Sequence, residues 1–262
     1  MNEFESTAIT AAMEAGKLQR DNYSKHNNIF YKGRINLVTE INIESERIIK
    51  NTILKRFPDH SIMAEESEEK VASTQYKWII DPLDGTTNFA HGYPCFCISI
   101  ALEKDGDIIL GVIFDAVKKE LFTAKKGEGA FLNGEKISVS KIDKLTESLL
   151  VTGFPYDIRE NPDNNLNYFF AMSMAAQAVR RDGAAALDLA YIACGRFDGF
   201  WELKLAPWDI AAGILMVEEA GGTITGLKGQ PITLLSQEIL ASNSKIHAEM
   251  MEVIEENNRP GK

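Results

Sequence analysis

Three acidic segments, far apart in the sequence, carry the residue types that could do chemistry. The longest is Asp81-Pro82-Leu83-Asp84-Gly85-Thr86-Thr87-Asn88-Phe89, which follows the apolar run Trp78-Ile79-Ile80. Pro82 restricts the backbone between the two aspartates, and Gly85 permits a tight turn that exposes peptide N–H groups. Carboxylates at a strand end, followed by a helix N-terminus, could hold a divalent cation and a phosphate side by side. In isolation, the same residues are also typical of an ordinary turn.

Two further segments favour the chemical interpretation. Glu65-Glu66 follows the apolar pair Ile62-Met63, and Asp209 follows Pro207-Trp208, where a helix is expected to begin. Taken separately, the first could be a solvated acidic run and the second a helix N-cap. Three such segments in one chain are less ordinary than any one of them.

One cleft could collect carboxylates from all three segments. The candidate set is Glu65, Asp81, Asp84 and Asp209. These carboxylates would repel one another at close range unless cations lie between them. Two or three Mg²⁺ ions, with the main-chain carbonyl of Leu83 as a further ligand, would remove the repulsion and form a site for in-line phosphoryl displacement.

The overall charge agrees with a metal-dependent site. The chain of 262 residues contains 28 Lys and Arg against 38 Asp and Glu, a formal net charge of −10. Such an acidic balance argues against binding a nucleic acid polymer, because phosphate backbones need clustered basic side chains. A small-molecule phosphate would also be repelled unless bound cations attract it.

The sequence shows no membrane or export signal. No stretch is apolar over the ~18 residues that a membrane span needs, and residues 1–5 lack the basic and then apolar pattern of a signal peptide. The three cysteines, Cys95, Cys97 and Cys194, are too few for a disulfide framework and are expected to be buried thiols. We therefore expect a cytoplasmic protein that binds no membrane.

Apolar periodicity divides the chain into two halves. Two helices are expected over 4–25 and 42–57, joined by a loop from about 28 to 39, and short β-type runs after Trp78 predict an antiparallel meander. After Leu145, strands and helices alternate. The expected elements there are strand 149–151, helices 171–180 and 184–193, strand 197–201 and helix 210–220. We expect an N-terminal α+β half, 1–144, and a C-terminal α/β half, 145–262, that together form one compact catalytic unit.

The acidic motifs, in this order, resemble the signatures of the inositol monophosphatase family. The likeness extends from about Leu37 to Gly222, and the long motif 81–89 is its most specific part. The resemblance implies a layered α/β fold, an alternating αβαβ sandwich of the inositol monophosphatase and fructose-1,6-bisphosphatase type. It also implies a homodimer, Mg²⁺ as the cofactor and sensitivity to Li⁺.

The resemblance assigns the metal ligands and the water-activating residues. It places one Mg²⁺ on Glu65, Asp81 and the Leu83 carbonyl, a second on Asp81, Asp84 and Asp209, and a weaker third beside Glu65. Glu65 and Thr86 would orient the metal-bound water that attacks phosphorus, and Asp84 completes the catalytic set.

The resemblance also assigns the substrate contacts. Gly85 and Thr86 would cradle the phosphate, Ala185 lies at the position that meets the polyol, and Glu202 matches an acid that hydrogen-bonds sugar hydroxyls. Asn42 and Asn36 depart from the family, which usually has Asp at the first position and commonly at the second. The Asp at the first position helps the threonine handle the proton of the water, whereas Asn hydrogen-bonds but cannot take up negative charge.

The expected activity is Mg²⁺-dependent hydrolysis of a small polyol or sugar phosphate, with myo-inositol monophosphate as the first candidate. NADP(H), fructose 1,6-bisphosphate and 3′(2′),5′-bisphosphate nucleotides are alternative substrates for the same site. A catalytically silent, cation-binding regulatory protein is the alternative from another class. A haloacid-dehalogenase-type phosphatase needs an Asp two residues before Asp84, but position 82 is Pro.

Overall fold

Two β-sheets alternate with layers of helices in the described part of the chain. The computed structural model describes residues 2–23, 29–32 and 36–257. Helices α1 (Glu3–Asn22) and α2 (Glu40–Arg56) cover one face of a seven-stranded sheet. The other face of that sheet packs on α5 (Ala185–Ala193) and α6 (Pro207–Glu219), which also contact a five-stranded sheet.

The seven-stranded sheet is the predicted meander. Its spatial order follows the chain order, and only the first pair of strands is parallel. The strands are β3 (Ser61–Ala64), β4 (Tyr76–Asp84), β5 (Cys97–Lys104), β6 (Asp107–Asp115), β7 (Glu120–Lys125), β8 (Gly129–Leu132) and β9 (Glu135–Lys136). A short helix, α3 (Thr86–Ala90), follows β4.

The five-stranded sheet is mixed, with the order β11-β10-β12-β14-β13. Its strands are β10 (Leu149–Thr152), β11 (Ala178–Arg180), β12 (Gly199–Leu203), β13 (Thr223–Thr225) and β14 (Glu238–Ser242). Helices α4 (Leu166–Ala175) and α7 (His247–Asn257) pack on its outer face through a shared core cluster. The alternating αβαβ sandwich is therefore confirmed, with one further helical layer beyond the second sheet.

Two expectations for local structure were wrong. The helix expected over 171–180 begins at Leu166 and ends at Ala175, and residues 178–180 form β11 because Val179 pairs with Leu150 of β10. The loop expected over 28–39 contains an antiparallel pair of strands, β1 (Ile29–Lys32) and β2 (Asn36–Thr39). The middle of that predicted loop, residues 33–35, lies outside the described residues.

Close packing fixes the position of α6 against the large sheet. A Cβ atom on Gly111 of β6 would lie 2.8 Å from the carbonyl oxygen of Ala212 on α6. Glycine at this position lets the helix backbone lie directly against the strand. Because α6 carries Asp209 in its first turn, this contact also fixes where that carboxylate lies.

Among the helices of the described ranges, none combines the length and the apolar character that crossing a membrane requires.

Asp188 is a buried acid with an unusual environment. It lies on α5 with 1% of its surface exposed, and neither carboxyl oxygen has a hydrogen-bond partner among the described residues. Burial, followed by the nearby carboxylates of Asp182 and Glu202, raises its pKa well above the usual value for Asp. The folded state therefore holds a proton that the unfolded chain releases above about pH 4. It follows that the free energy of unfolding falls as pH rises toward the folded pKa.

We expect Asp188→Asn to weaken that pH dependence. Because Asn has no proton to lose, the variant should lose less stability than the wild type between about pH 5 and about pH 8, by about 1 kcal/mol or more. Urea unfolding at the two pH values measures the difference. Asp143→Asn, which changes an exposed acid, is the matched control. Equal slopes for Asp188→Asn and the wild type would contradict the expectation.

Candidate active site

The carboxyl ends of β3 and β4 bring the first two acidic segments together. The two strands are parallel, with Ala64 beside Ile80, and the N–H of Glu65 donates to the carbonyl of Ile80 (3.3 Å). Asp81 still pairs with β5, but the register shifts between Asp81 and Asp84. Pro82, which has no N–H to donate, accounts for this bulge. Glu65 and the two aspartates therefore lie at one edge of the sheet.

Gly85 turns the chain from β4 into α3. Its φ of +90° is in the left-handed region, and a Cβ there would lie 2.8 Å from the carbonyl oxygen of Cys95. No other residue type fits both conditions. The turn buries Thr86, whose hydroxyl donates to the carbonyl of Leu83 (3.0 Å). Thr86 and Leu83 are thereby fixed relative to each other.

Two helix N-termini hold the other carboxylates. The N–H of Ala186 at the start of α5 donates to Asp84 Oδ2 (2.7 Å), and the Cys97 thiol lies 3.7 Å from the same oxygen. The N–H of Ala206 donates to Asp209 Oδ2 (2.7 Å) where α6 begins. Exposed N–H groups and the helix dipole favour negative charge at such positions.

A cavity of about 500 Å³ lies between these elements. All nine residues that the sequence singled out as site residues line it. They are Glu65, Asp81, Leu83, Asp84, Gly85, Thr86, Ala185, Glu202 and Asp209. The structure thus brings every predicted site residue to one cavity. They come from strands of both sheets and from the helices between the sheets.

Burial and neighbouring carboxylates raise the pKa values of the three aspartates in the cavity. Burial raises the pKa of Asp81 well above its usual value, and the charges of Glu65, Asp84 and Asp209 raise it further. Burial raises the pKa of Asp84 to about 7 even though the Ala186 N–H lowers it, and burial with the charge of Asp84 raises that of Asp209 to about 7. Within the described ranges, no Lys or Arg forms an ion pair with these three aspartates. The three aspartates therefore lie in the cavity without an ion-pair partner among the described residues, while Arg181 and Lys204 also line it.

The donor set fits hydrated Mg²⁺. Asp81 Oδ1 accepts the Leu83 N–H (2.9 Å), so each of the three aspartates commits one oxygen to a backbone donor. As the side chains stand, no three His, Cys, Asp or Glu residues of the described ranges lie close enough to share one metal ion. Asp81, Asp84 and Asp209 therefore line the same cavity, but their carboxylates are too far apart to contact one ion together. Mg²⁺ is commonly held by one or two carboxylates together with water and phosphate oxygens, which this arrangement can supply.

Glu202 faces the same cavity from β12. It is 8% exposed, and burial, followed by the charges of Asp209 and Asp84, raises its pKa well above the usual value for Glu. A Cβ on Gly153 would overlap the Glu202 carboxyl group, so glycine leaves the space that this side chain occupies. A buried acid that faces a cavity can donate a hydrogen bond to a ligand hydroxyl or accept one from it.

Most residues at the rim of the cavity carry no signal in the sequence. Asp157 accepts from Lys204 Nζ at 2.8 Å, and the Arg181 guanidinium lies 5.3 Å from the centre of the Phe154 ring. All four residues line the cavity, and so does the exposed Tyr156. They lie in irregular segments after β10, β11 and β12. Arg181 belongs to the turn before Ala185, which the family resemblance places at the substrate, whereas neither periodicity nor a motif marks the others.

Comparison with known proteins agrees with the geometry. Residues 1–259 match the model of the inositol monophosphatase family. The chain is 45% identical over 249 residues to an inositol-1-monophosphatase of Synechocystis sp., covering 94% of this chain and 87% of the relative. It is 41% identical over 255 residues to a Nus factor SuhB of Pseudomonas aeruginosa, covering 95% and 94%. The solved inositol monophosphatase of Anabaena (Nostoc) sp. PCC 7120 is 42% identical with a TM-score of 0.89, covering 97% of this chain and 96% of that one. The chain therefore belongs to the inositol monophosphatase family and is a phosphomonoesterase.

Proposed function

We propose that the protein hydrolyses monoesters of small polyol or sugar phosphates with Mg²⁺, and that myo-inositol monophosphate is its first substrate. The observation that carries the proposal is the convergence of Glu65, Asp81, Asp84 and Asp209 on a cavity that Glu202 also faces. Relatives named inositol-1-monophosphatase support this choice of substrate. The cavity is lined from both 1–144 and 145–262, which supports their acting as one catalytic unit.

Three aspartates, one glutamate and one carbonyl would hold the metal. Glu65, Asp81 and the Leu83 carbonyl would form one ligand set. Asp81, Asp84 and Asp209 would form the other once their side chains move closer together than they stand here, with a weaker third position beside Glu65. When bound, Mg²⁺ supplies a water of lowered pKa and stabilises negative charge on the phosphate and on the leaving oxygen. Inhibition by Li⁺ belongs to the same proposal and is measured in the same assay.

The remaining residues orient the substrate and the water. Gly85 and Thr86 would hold the phosphate through backbone and hydroxyl groups, and Glu65 and Thr86 would orient the water. The water oxygen bonds to phosphorus as the ester P–O bond breaks, and its electron pair stays on the alcohol oxygen. Glu65 takes the proton that the water loses, and the alcohol oxygen gains one from solvent. No side-chain nucleophile is required.

A phosphate-release assay with Mg²⁺ tests the proposal and its alternatives. Inositol monophosphate, fructose 1,6-bisphosphate, NADP and a 3′,5′-bisphosphate nucleotide are offered in parallel. Fastest turnover of inositol monophosphate supports the proposal. Preference for another ester reassigns the substrate, and Mg²⁺ binding without turnover of any of them indicates a cation-binding regulatory protein.

Asp209→Asn should abolish turnover without unfolding the protein. The variant loses a charged metal ligand but keeps an oxygen that accepts the Ala206 N–H, so kcat should fall more than about a hundredfold. Urea unfolding should stay close to wild type. Asp107→Asn, an exposed acid outside the cavity, is the control and should stay active. Retention of most activity by Asp209→Asn would remove Asp209 from the site.

Glu202→Gln should weaken binding of polyols selectively. The carboxyl faces the cavity and would hydrogen-bond substrate hydroxyls, so KM for inositol monophosphate should rise about tenfold. p-Nitrophenyl phosphate has no such hydroxyls, and its KM should change little. Equal effects on the two substrates would show that Glu202 supports the site in general rather than the polyol.

We further propose a homodimer that uses the outer face of α4. Leu166, Phe170 and Met174 recur every fourth residue and are 50%, 70% and 76% exposed. An apolar stripe of this kind is typical of an interface. Phe170→Glu should therefore shift the protein toward monomers in size-exclusion chromatography with light scattering. A wild-type monomer, or an unchanged dimer in the variant, would overturn this assignment.

A further inference from the structure

A buried hydrogen-bond network connects α2 to the candidate active site. Asn42 is fully buried in the first turn of α2 and lies at the position where the family usually has Asp. Its side-chain nitrogen donates to Thr86 Oγ1 (2.9 Å) and to Glu66 Oε1 (3.2 Å). Its side-chain oxygen accepts from the backbone N–H and the hydroxyl of Thr39 (3.1 and 2.7 Å).

The Thr39 backbone fixes the orientation of the Asn42 amide. A backbone N–H can only donate, so the amide atom facing it must be the oxygen. The amide nitrogen then has to face Thr86 and Glu66, with one N–H for each. If the amide were flipped, its nitrogen would face the Thr39 N–H, which is also a donor. Its oxygen would face the Glu66 carboxylate, which is also an acceptor.

This orientation decides what the Thr86 hydroxyl can do. Because Asn42 donates to Thr86 Oγ1, the threonine cannot pass a proton to residue 42. Its own proton goes to the carbonyl of Leu83, so the chain of hydrogen bonds runs from Asn42 through Thr86 to Leu83. Thr86 lines the cavity, and these hydrogen bonds leave the second lone pair of its hydroxyl oxygen unused. It can therefore accept a hydrogen bond from a water but cannot carry that water's proton away.

Helix α2 holds Glu66 at two points one helical turn apart. Glu46 is buried and accepts the backbone N–H of Glu66 (2.8 Å), while Asn42 donates to the Glu66 side chain. Lys50, 3.6 Å from Glu46, offsets part of the negative charge. Glu66 is thus fixed by its backbone as well as by its carboxylate.

We propose that Glu66 is a positioning residue, which together with Thr39 fixes the Asn42 amide so that Thr86 presents a lone pair to the attacking water. The proposal rests on the proposed phosphatase reaction at this cavity. Thr86 then orients the water and does not carry its proton away.

Kinetics of Glu66 variants test the positioning role. Glu66→Ala removes the acceptor, so kcat should fall about tenfold with KM and the Mg²⁺ requirement unchanged. Glu66→Gln keeps an acceptor oxygen and should recover most of kcat. In an Asn42→Ala background, Glu66→Ala should cause no further loss. Glu44→Ala is the control, since Glu44 bonds Arg47 on the exposed side of the same helix.

A double-mutant cycle in the metal-free protein supplies a readout that does not depend on activity. Urea unfolding of the wild type, Asn42→Ala, Glu66→Ala and the double variant measures the Asn42–Glu66 coupling. We expect the drop in the folding equilibrium constant caused by Glu66→Ala to be about fivefold larger when Asn42 is present than when it is absent.

The outcomes separate this inference from the function on which it rests. An active wild type without coupling, or with equal losses from Glu66→Ala in both backgrounds, overturns the inference alone. So does a Glu66→Ala variant whose defect is a raised Mg²⁺ requirement, because Glu66 would then act through Glu65. A wild type that turns over no phosphate ester overturns the proposed function and the inference with it.

Discussion

The rest of the structure depends on one constraint, the proximity of four carboxylates around one cavity. They are those of Glu65, Asp81, Asp84 and Asp209. Each loses hydration and repels its neighbours, and the raised pKa values of Asp81, Asp84 and Asp209 record both effects. A cavity in which the acids repel one another when ionised binds a cation favourably, because the cation attracts each carboxylate and offsets their mutual repulsion. The fold must therefore keep the acids together without neutralising them.

Backbone donors hold the three aspartates, and among the described residues no basic side chain forms an ion pair with them. Asp81 accepts from Leu83, Asp84 from Ala186 and Asp209 from Ala206. A Lys or Arg among the acids would offset their charge permanently and compete with a metal ion. An N–H at a strand end or a helix N-terminus carries only partial charge, so it fixes the geometry and leaves the site anionic. Because such N–H groups occur at strand ends and helix N-termini, the end of β4 and the starts of α5 and α6 converge on the cavity.

The sequence predicted which residues meet at the cavity better than it predicted the surrounding structure, for a physical reason. Glu65 follows β3, and Asp81 and Asp84 lie at the end of β4, so a parallel pair of strands is enough to bring them together. Pro82 and Gly85 have conformational preferences that local sequence reveals. Residues 178–180 continue a helical pattern, and only their pairing with β10 makes them a strand. Lys204 and Asp157 meet across two loops, so their contact depends on tertiary structure that no periodicity encodes.

The amide at position 42 follows from the same constraint as the carboxylates. A carboxylate there would add another buried charge beside Glu66, close to an already anionic cavity. Asn42 instead offers two N–H groups, one to Glu66 and one to Thr86, and so converts repulsion into hydrogen bonding. The substitution gives up a proton acceptor, because an amide cannot take one at neutral pH. In the mechanism that we propose, that function falls to Glu65, which lines the same cavity.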